Sequence, residues 1–234
     1  TRPALRFGTL WYLSGQHIES GESTSDDFLV KRGHLDLFVD IAPGWSARLT
    51  PDLTVDADGD VEAPVKFAFV EARLGRLGAL VSPYVQAGRV PTPWIGFEEG
   101  IYRYRMQDGT FMDRLGFFAS ADEGIVAGAL LGSGLPEAFA DGVRPAFPGR
   151  WGSFAAGVYS GSGFKTPDRN NSYVVQGRLS VRPLPDSLPG LQLSALGITG
   201  EGNTAAEPDW TVAAALISFE SRRAVATLQW TDNH

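Results

Sequence analysis

A chain of 234 residues with 28 Gly and 15 Pro has room for one large domain and little room for long helices, because both residue types break them. It contains no cysteine, which excludes disulfides, thiolate nucleophiles and Cys-based zinc sites. The formal charge of −7 argues against a nucleic-acid partner, and no apolar run reaches the ~18 residues of a transmembrane helix.

In chain order the sequence reads as extended segments with two unlike faces, the period-two signature of a strand. Residues 4–16 (ALRFGTLWYLSGQ) are aromatic-rich and stop at IESGESTSDD, whose composition predicts a long loop over 17–27. Next, Leu35, Leu37, Val39 and Ile41 share one face while Arg32, His34, Asp36 and Asp40 share the other. A Pro43-Gly44 turn leads into SARLTPDLTV, and DADGDVEAP predicts another loop. Ala68, Val70, Ala72 and Leu74 then oppose Glu71 and Arg73. Val81, Pro83, Val85 and Ala87 oppose Ser82, Tyr84, Gln86 and Gly88.

Between that segment and LGFFASADEGIVAGALL lies the most distinctive stretch, PTPWIGFEEGIYRYRMQDGTFMDR, in which aromatics interleave with charges. So polar and aromatic a segment, bracketed by strands, suits the inside or rim of a barrel better than a packed core. Residues 91–115 are therefore a candidate constriction or extracellular loop. Further on, Phe154, Ala156 and Val158 share a face; Tyr173, Val175, Leu179 and Val181 oppose Gln176, Arg178, Ser180 and Arg182; and Ala224, Ala226, Leu228 and Trp230 oppose Val225, Thr227, Gln229 and Thr231.

This makes about a dozen segments of roughly 9–12 residues, nearer the length that crosses a bilayer at a tilt than the 5–6 residues usual in soluble sheets. Candidate tight turns are Pro43-Gly44, Ala121-Asp122-Glu123-Gly124 and Glu220-Ser221-Arg222; candidate long loops are 17–27, 91–112, 132–150 and 200–208. Short turns at one end and long loops at the other mark outer-membrane barrels. The fold class read from this is all-β, an antiparallel transmembrane β-barrel with about 12 strands in residues 1–234, all one domain.

Enzymatic chemistry finds little support in these residues. His17, His34 and His234 are scattered without metal-ligand spacing, so neither a metal nor a cofactor is expected. His34 and Asp36 lie about 7 Å apart on one strand face and could form half of a hydrolase dyad. Two solvated polar groups are the ordinary alternative. Glu98 and Glu99 are adjacent and form a poor carboxylate pair, and the glycines of GSGSGF lack a phosphate-loop lysine. Arginine carries the stronger signal. Arg73, Arg89, Arg103, Arg105, Arg114, Arg178 and Arg182 fall on polar faces or in the central loop, with Glu98 and Glu99 available to oppose them across a pore. The ordinary alternative is ion pairing at strand ends.

The segments GRVPTPWIGFEEGIYRYR, FMDRLGFFASADEGIVAGALL, VYSGSGF and GRLSVRPLPDSLPGLQLSALGITG, in that order, resemble the phosphate-selective porin O/P-like family of Gram-negative outer-membrane porins. The matching elements are Gly88-Arg89, Pro93 to Glu99, Tyr102-Arg103, a Ser120 to Gly124 hairpin turn and Val181 to Pro185, over roughly Lys31 to Gln229. The resemblance implies a closed barrel of about 16 strands, often trimeric, in the cell outer membrane, passing small hydrophilic solutes or anions. It also implies that the chain is a fragment, because a signal peptide and a terminal aromatic strand are both lacking. The family's lumen is lysine-rich, whereas the lysines here are Lys31, Lys66 and Lys165. The expectation is therefore a general, weakly charge-selective porin without a phosphate site. The alternatives are a soluble β-sandwich carbohydrate-binding module and a non-conducting structural envelope barrel.

Overall fold

The computed structural model describes residues 4–21, 23–56, 58–102 and 109–234. The strands are β1 (Ala4–Ser20), β2 (Ser23–Ala42), β3 (Trp45–Val55), β4 (Val61–Glu62), β5 (Val65–Arg73), β6 (Leu80–Pro91), β7 (Ala121–Leu131), β8 (Gly152–Tyr159), β9 (Val174–Val181), β10 (Leu191–Glu201), β11 (Asp209–Glu220) and β12 (Val225–Asn233). Three short helices, α1 (Ile95–Ile101), α2 (Phe111–Leu115) and α3 (Glu137–Val143), interrupt them. All strands belong to one antiparallel meander in which each pairs with its neighbour in sequence, except that β4 is a side branch on β3. The sheet is not closed: β1 pairs only with β2, and β12 only with β11. The all-β, antiparallel, twelve-strand expectation is met at this level.

The two faces of the sheet are unlike, and the alternation in the sequence explains why. On β9, Leu179 is 51 % exposed, while Gln176 and Arg178 on the opposite face are 1 % and 3 % exposed. Register carries the apolar side from strand to strand: Ile125 lies opposite Val158, Val158 opposite Val175, Leu193 opposite Ile217, and Ile217 opposite Leu228, each of them exposed. The other face holds buried Gln86, Asp122, Ser153, Ser180, Gln192 and Ser218. The sheet curls around this polar face, because one cavity touches Arg32 of β2, Gln176 of β9 and Trp210 of β11 together.

Three sequence expectations are corrected. The polar run at 17–27 is no loop: β1 and β2 continue through it as a ribbon that turns at Gly21, with a φ of 61°. Polar side chains on a ribbon exposed on both sides leave no apolar alternation to read. Ala121 to Gly124 form no tight turn, since they open β7 and pair with residues 88–91 of β6. The β6–β7 connection is instead the excursion 92–120, and Thr92 closes its base by donating its hydroxyl to the Ala119 carbonyl at 2.8 Å. Third, the connections are not sorted cleanly by length. Residues 132–151, which carry α3, lie at the same end as the short turns 43–44 and 221–224.

Candidate functional site: the inner face

The described parts of the 92–120 excursion, residues 92–102 and 109–120, fold inward. Trp94, Phe97 and Ile101 recur at helical spacing, so α1 presents one apolar stripe. That stripe packs on Leu196, Ile198, Val212, Ala214 and Leu216, the inward residues of β10 and β11, and Met112 of α2 joins them. From the opposite end the 132–151 connection also turns in, and the Phe97 and Phe147 rings meet with centroids 5.2 Å apart.

Arg178 lies where the two inserts meet. Its guanidinium carbon is 4.1 Å from the Phe97 ring and 5.2 Å from the Phe147 ring. Its Nε donates to the Pro93 carbonyl at 2.9 Å, and Nη1 donates to Ser180 Oγ at 2.7 Å and Ser153 Oγ at 3.0 Å. Arg182 follows the same pattern, donating to the carbonyls of Pro189 and Phe147. Both arginines are therefore on the inner face, as the alternation predicts, but they clasp backbone instead of standing free in a lumen.

The other expected site residues are dispersed. Arg73 ends β5 and donates to Glu71 at 2.6 Å. Arg89 falls on the face of Val85 and Ala87, donating to Glu123 at 2.6 Å and to the Val65 carbonyl at 2.8 Å. Arg114 is exposed beside a cavity of about 380 Å³ that it lines with Glu98, Thr227 and Gln229. Glu99 is half-buried on α1. Arg103 and Arg105 lie outside the described residues.

Glu98 is buried on α1, and burial pushes its carboxyl above the ordinary 4.5. The Thr110 hydroxyl, the Trp94 indole N–H and the backbone N–H groups of Met112 and Phe111 pull the other way. Glu98 Oε2, Thr110 Oγ1 and Trp94 Nε1 complete no hydrogen bond of good geometry, so these neighbours soften the effect of burial without cancelling it. Folding thus favours the protonated form more than the unfolded chain does. Its contribution to stability is fully present below the ordinary carboxylate value and is lost as pH rises through the raised one. Glu98→Gln should flatten this dependence and leave α1 at least as well held at neutral pH. Unfolding followed by tryptophan fluorescence from pH 4 upward checks it, and equal slopes in parent and variant would show that another group titrates.

The densest set of charges lies on β2, β3 and β5, where the polar face of β2 legible in the sequence meets partners on β3 that its pattern does not single out. Arg32 forks onto Asp52, with Nε at 2.7 Å and Nη2 at 2.5 Å. His34 Nε2 is 3.2 Å from the same carboxylate, at an angle that makes no hydrogen bond. Arg48 donates to Asp36 at 2.7 Å, the Thr50 hydroxyl donates to that oxygen at 2.5 Å, and the guanidinium carbon lies 4.3 Å from the Phe67 ring centroid. His34 and Asp36 therefore serve different partners and make no dyad. The missed signal is the alternation of β3 itself, in which Ser46, Arg48, Thr50, Asp52 and Thr54 oppose Ala47, Leu49, Pro51 and Leu53.

Cavities lie at both ends of this set. One of about 610 Å³ is lined by Lys31, Arg32, Thr54, Asp113 and Lys165 among others. One of about 480 Å³ is lined by Arg6, Asp40, Ser46, Glu71 and Arg73. Among the described residues no three His, Asp or Glu side chains converge as metal ligands do. No family model matches the chain, and the search of curated proteins returned no match.

Proposed function

We propose that the chain is barrel wall of an outer-membrane porin, a general, weakly charge-selective diffusion channel for small hydrophilic solutes. The observation that carries this reading is the inversion of polarity: apolar side chains face outward across neighbouring strands, while amides, hydroxyls and ion pairs face inward except at Leu196, Ile198, Val212, Ala214 and Leu216, on which α1 packs. In water, apolar area drives itself inward at roughly 25 cal/mol per Å², so so long an outward apolar band suits lipid. Strands β5 to β12, of 8–12 residues, match the ~9–11 residues of a tilted crossing. Outer-membrane lipid is then the main partner, and a homotrimer the assembly that goes with the reading. Mixed charges inside support weak selectivity and no phosphate site.

The reading is tested by detergent extraction followed by planar-bilayer recording. A folded preparation that needs detergent and gives stepwise, non-saturating currents with a small reversal potential in a salt gradient supports it. A folded but silent barrel points to a structural envelope protein, a chain that stays monomeric without detergent points to a soluble sandwich, and saturation by micromolar phosphate excludes a non-specific pore.

A further inference from the structure

We propose that the cavity of about 610 Å³ beneath the 92–120 excursion is a binding site for a neutral sugar ring, with Gln176 as its polar floor. Such a site belongs to the folded chain whether or not the wall conducts, so the inference goes beyond the channel reading and does not depend on it. Its first support is an amide with nothing to bond. Gln176 lines the cavity, is 1 % exposed, and its Oε1 has no hydrogen-bond partner among the described residues. The neighbours on its face offer none: Val174 and its cross-strand partner Ile198 are apolar and buried, and Arg178 commits Nε and Nη1 to Pro93, Ser153 and Ser180. A buried amide left so is costly, and a ligand that donates to it removes the cost.

The second support is the wall. Phe117, Phe118, Phe164 and Trp210 line the same cavity. Aromatic walls with a few fixed polar groups, around a space of about 300–1,000 Å³, are the usual make-up of a small-molecule pocket. A further cavity of about 310 Å³ shares Phe117, Gly161 and Trp210 with the first and adds Asn203 and Asn233, so the two adjoin. The third support is the charge left over. Arg32 forks onto Asp52, and Asp122 accepts from the Ser160 hydroxyl and from the N–H groups of Gly161 and Gly163, so both are answered within the protein. Lys31, Lys165 and Asp113 are exposed or half-buried and carry both signs. The buried part of the cavity therefore suits a ligand that stacks on rings, donates and accepts, and has no net charge. A sugar does all three: its C–H face lies on the negative face of an aromatic ring, while its hydroxyls reach the amide. The adjoining cavity gives room for a second ring.

The full chain, in the detergent that keeps it folded, is titrated by calorimetry with glucose, maltose, cellobiose and sucrose. At least one disaccharide should give saturable heat. Gln176→Met keeps the bulk and removes only the amide, so the sheet should hold while affinity falls about fivefold or more, the worth of one hydrogen bond. Gln192→Met replaces a buried amide that does not line the cavity and should bind as the parent does. No saturable heat from any of the four sugars, or equal affinity in Gln176→Met, overturns the site. Tighter binding of glucuronate or glucosamine than of glucose overturns the neutral class, and glucose binding as tightly as every disaccharide overturns the second ring. Calorimetry is read without current, so a chain that binds sugar yet conducts nothing overturns the channel reading alone.

Discussion

Leu179→Arg should abolish insertion into lipid, whereas Thr227→Arg should insert as the parent does. Leu179 is on the exposed face of β9, opposite Ala195 of β10, at the middle of the apolar band. A guanidinium there costs about 2–4 kcal/mol near the bilayer midplane, a large part of a membrane barrel's margin. Thr227 is exposed and lines a cavity with Glu98 and Arg114, so a cation there is not driven out of a polar, accessible setting. Floatation on vesicles and the heat-modifiable shift on gels check the pair. Equal insertion of both variants, or the reverse order, means that the face assignment is inverted.

The second large effect is expected at Arg178. Arg178→Leu keeps bulk but removes the donors to the Pro93 carbonyl, Ser153 Oγ and Ser180 Oγ, and removes the cation over Phe97. Hydrogen bonds from a charged donor are worth about 1.5–3 kcal/mol each, and buried acceptors left alone cost about as much. Burying the cation was itself costly, which offsets part of the loss. The net should be on the order of 3 kcal/mol, felt at α1 more than in the sheet, whose ladder is untouched. Hydrogen exchange should show residues 95–101 losing protection while β9 and β10 keep theirs. Arg178→Lys should fall between, since one ammonium cannot reproduce the fork. Full protection at 95–101 in Arg178→Leu would show that apolar contact alone holds α1.

How far the sequence announces all this depends on the kind of signal. Alternation in β9 and β12 can be read directly because every second side chain meets a different medium, and Val175, Leu179 and Leu228 fall outward as their pattern requires. Turns signalled by Pro43-Gly44 are equally legible, since that chemistry is local. Ser120 to Gly124 misleads because the same residue types build turns and close contacts. Asp122 holds the 160–163 loop by accepting from the Ser160 hydroxyl and the backbone N–H groups of Gly161 and Gly163, a partnership no local window contains. The central excursion announces its inward fold through mixed aromatics and charges, and the 94, 97, 101 spacing even marks the helix. What could not be read is which arginines remain free, because Arg178 meets Pro93 across 85 positions of sequence.

The unpaired edges have a directional consequence. Of the 12 strands, β4 is off the path, so eleven alternate in sense from β1 to β12, and both edge strands therefore run the same way. Joined directly, they would make the one parallel pair among the described strands. A cylinder that stays antiparallel throughout requires an odd number of strands between them, giving an even total. Another copy set beside this one in the same sense presents edges of that same direction, so backbone pairing between the edges of two such copies would form a parallel ladder and never an antiparallel one.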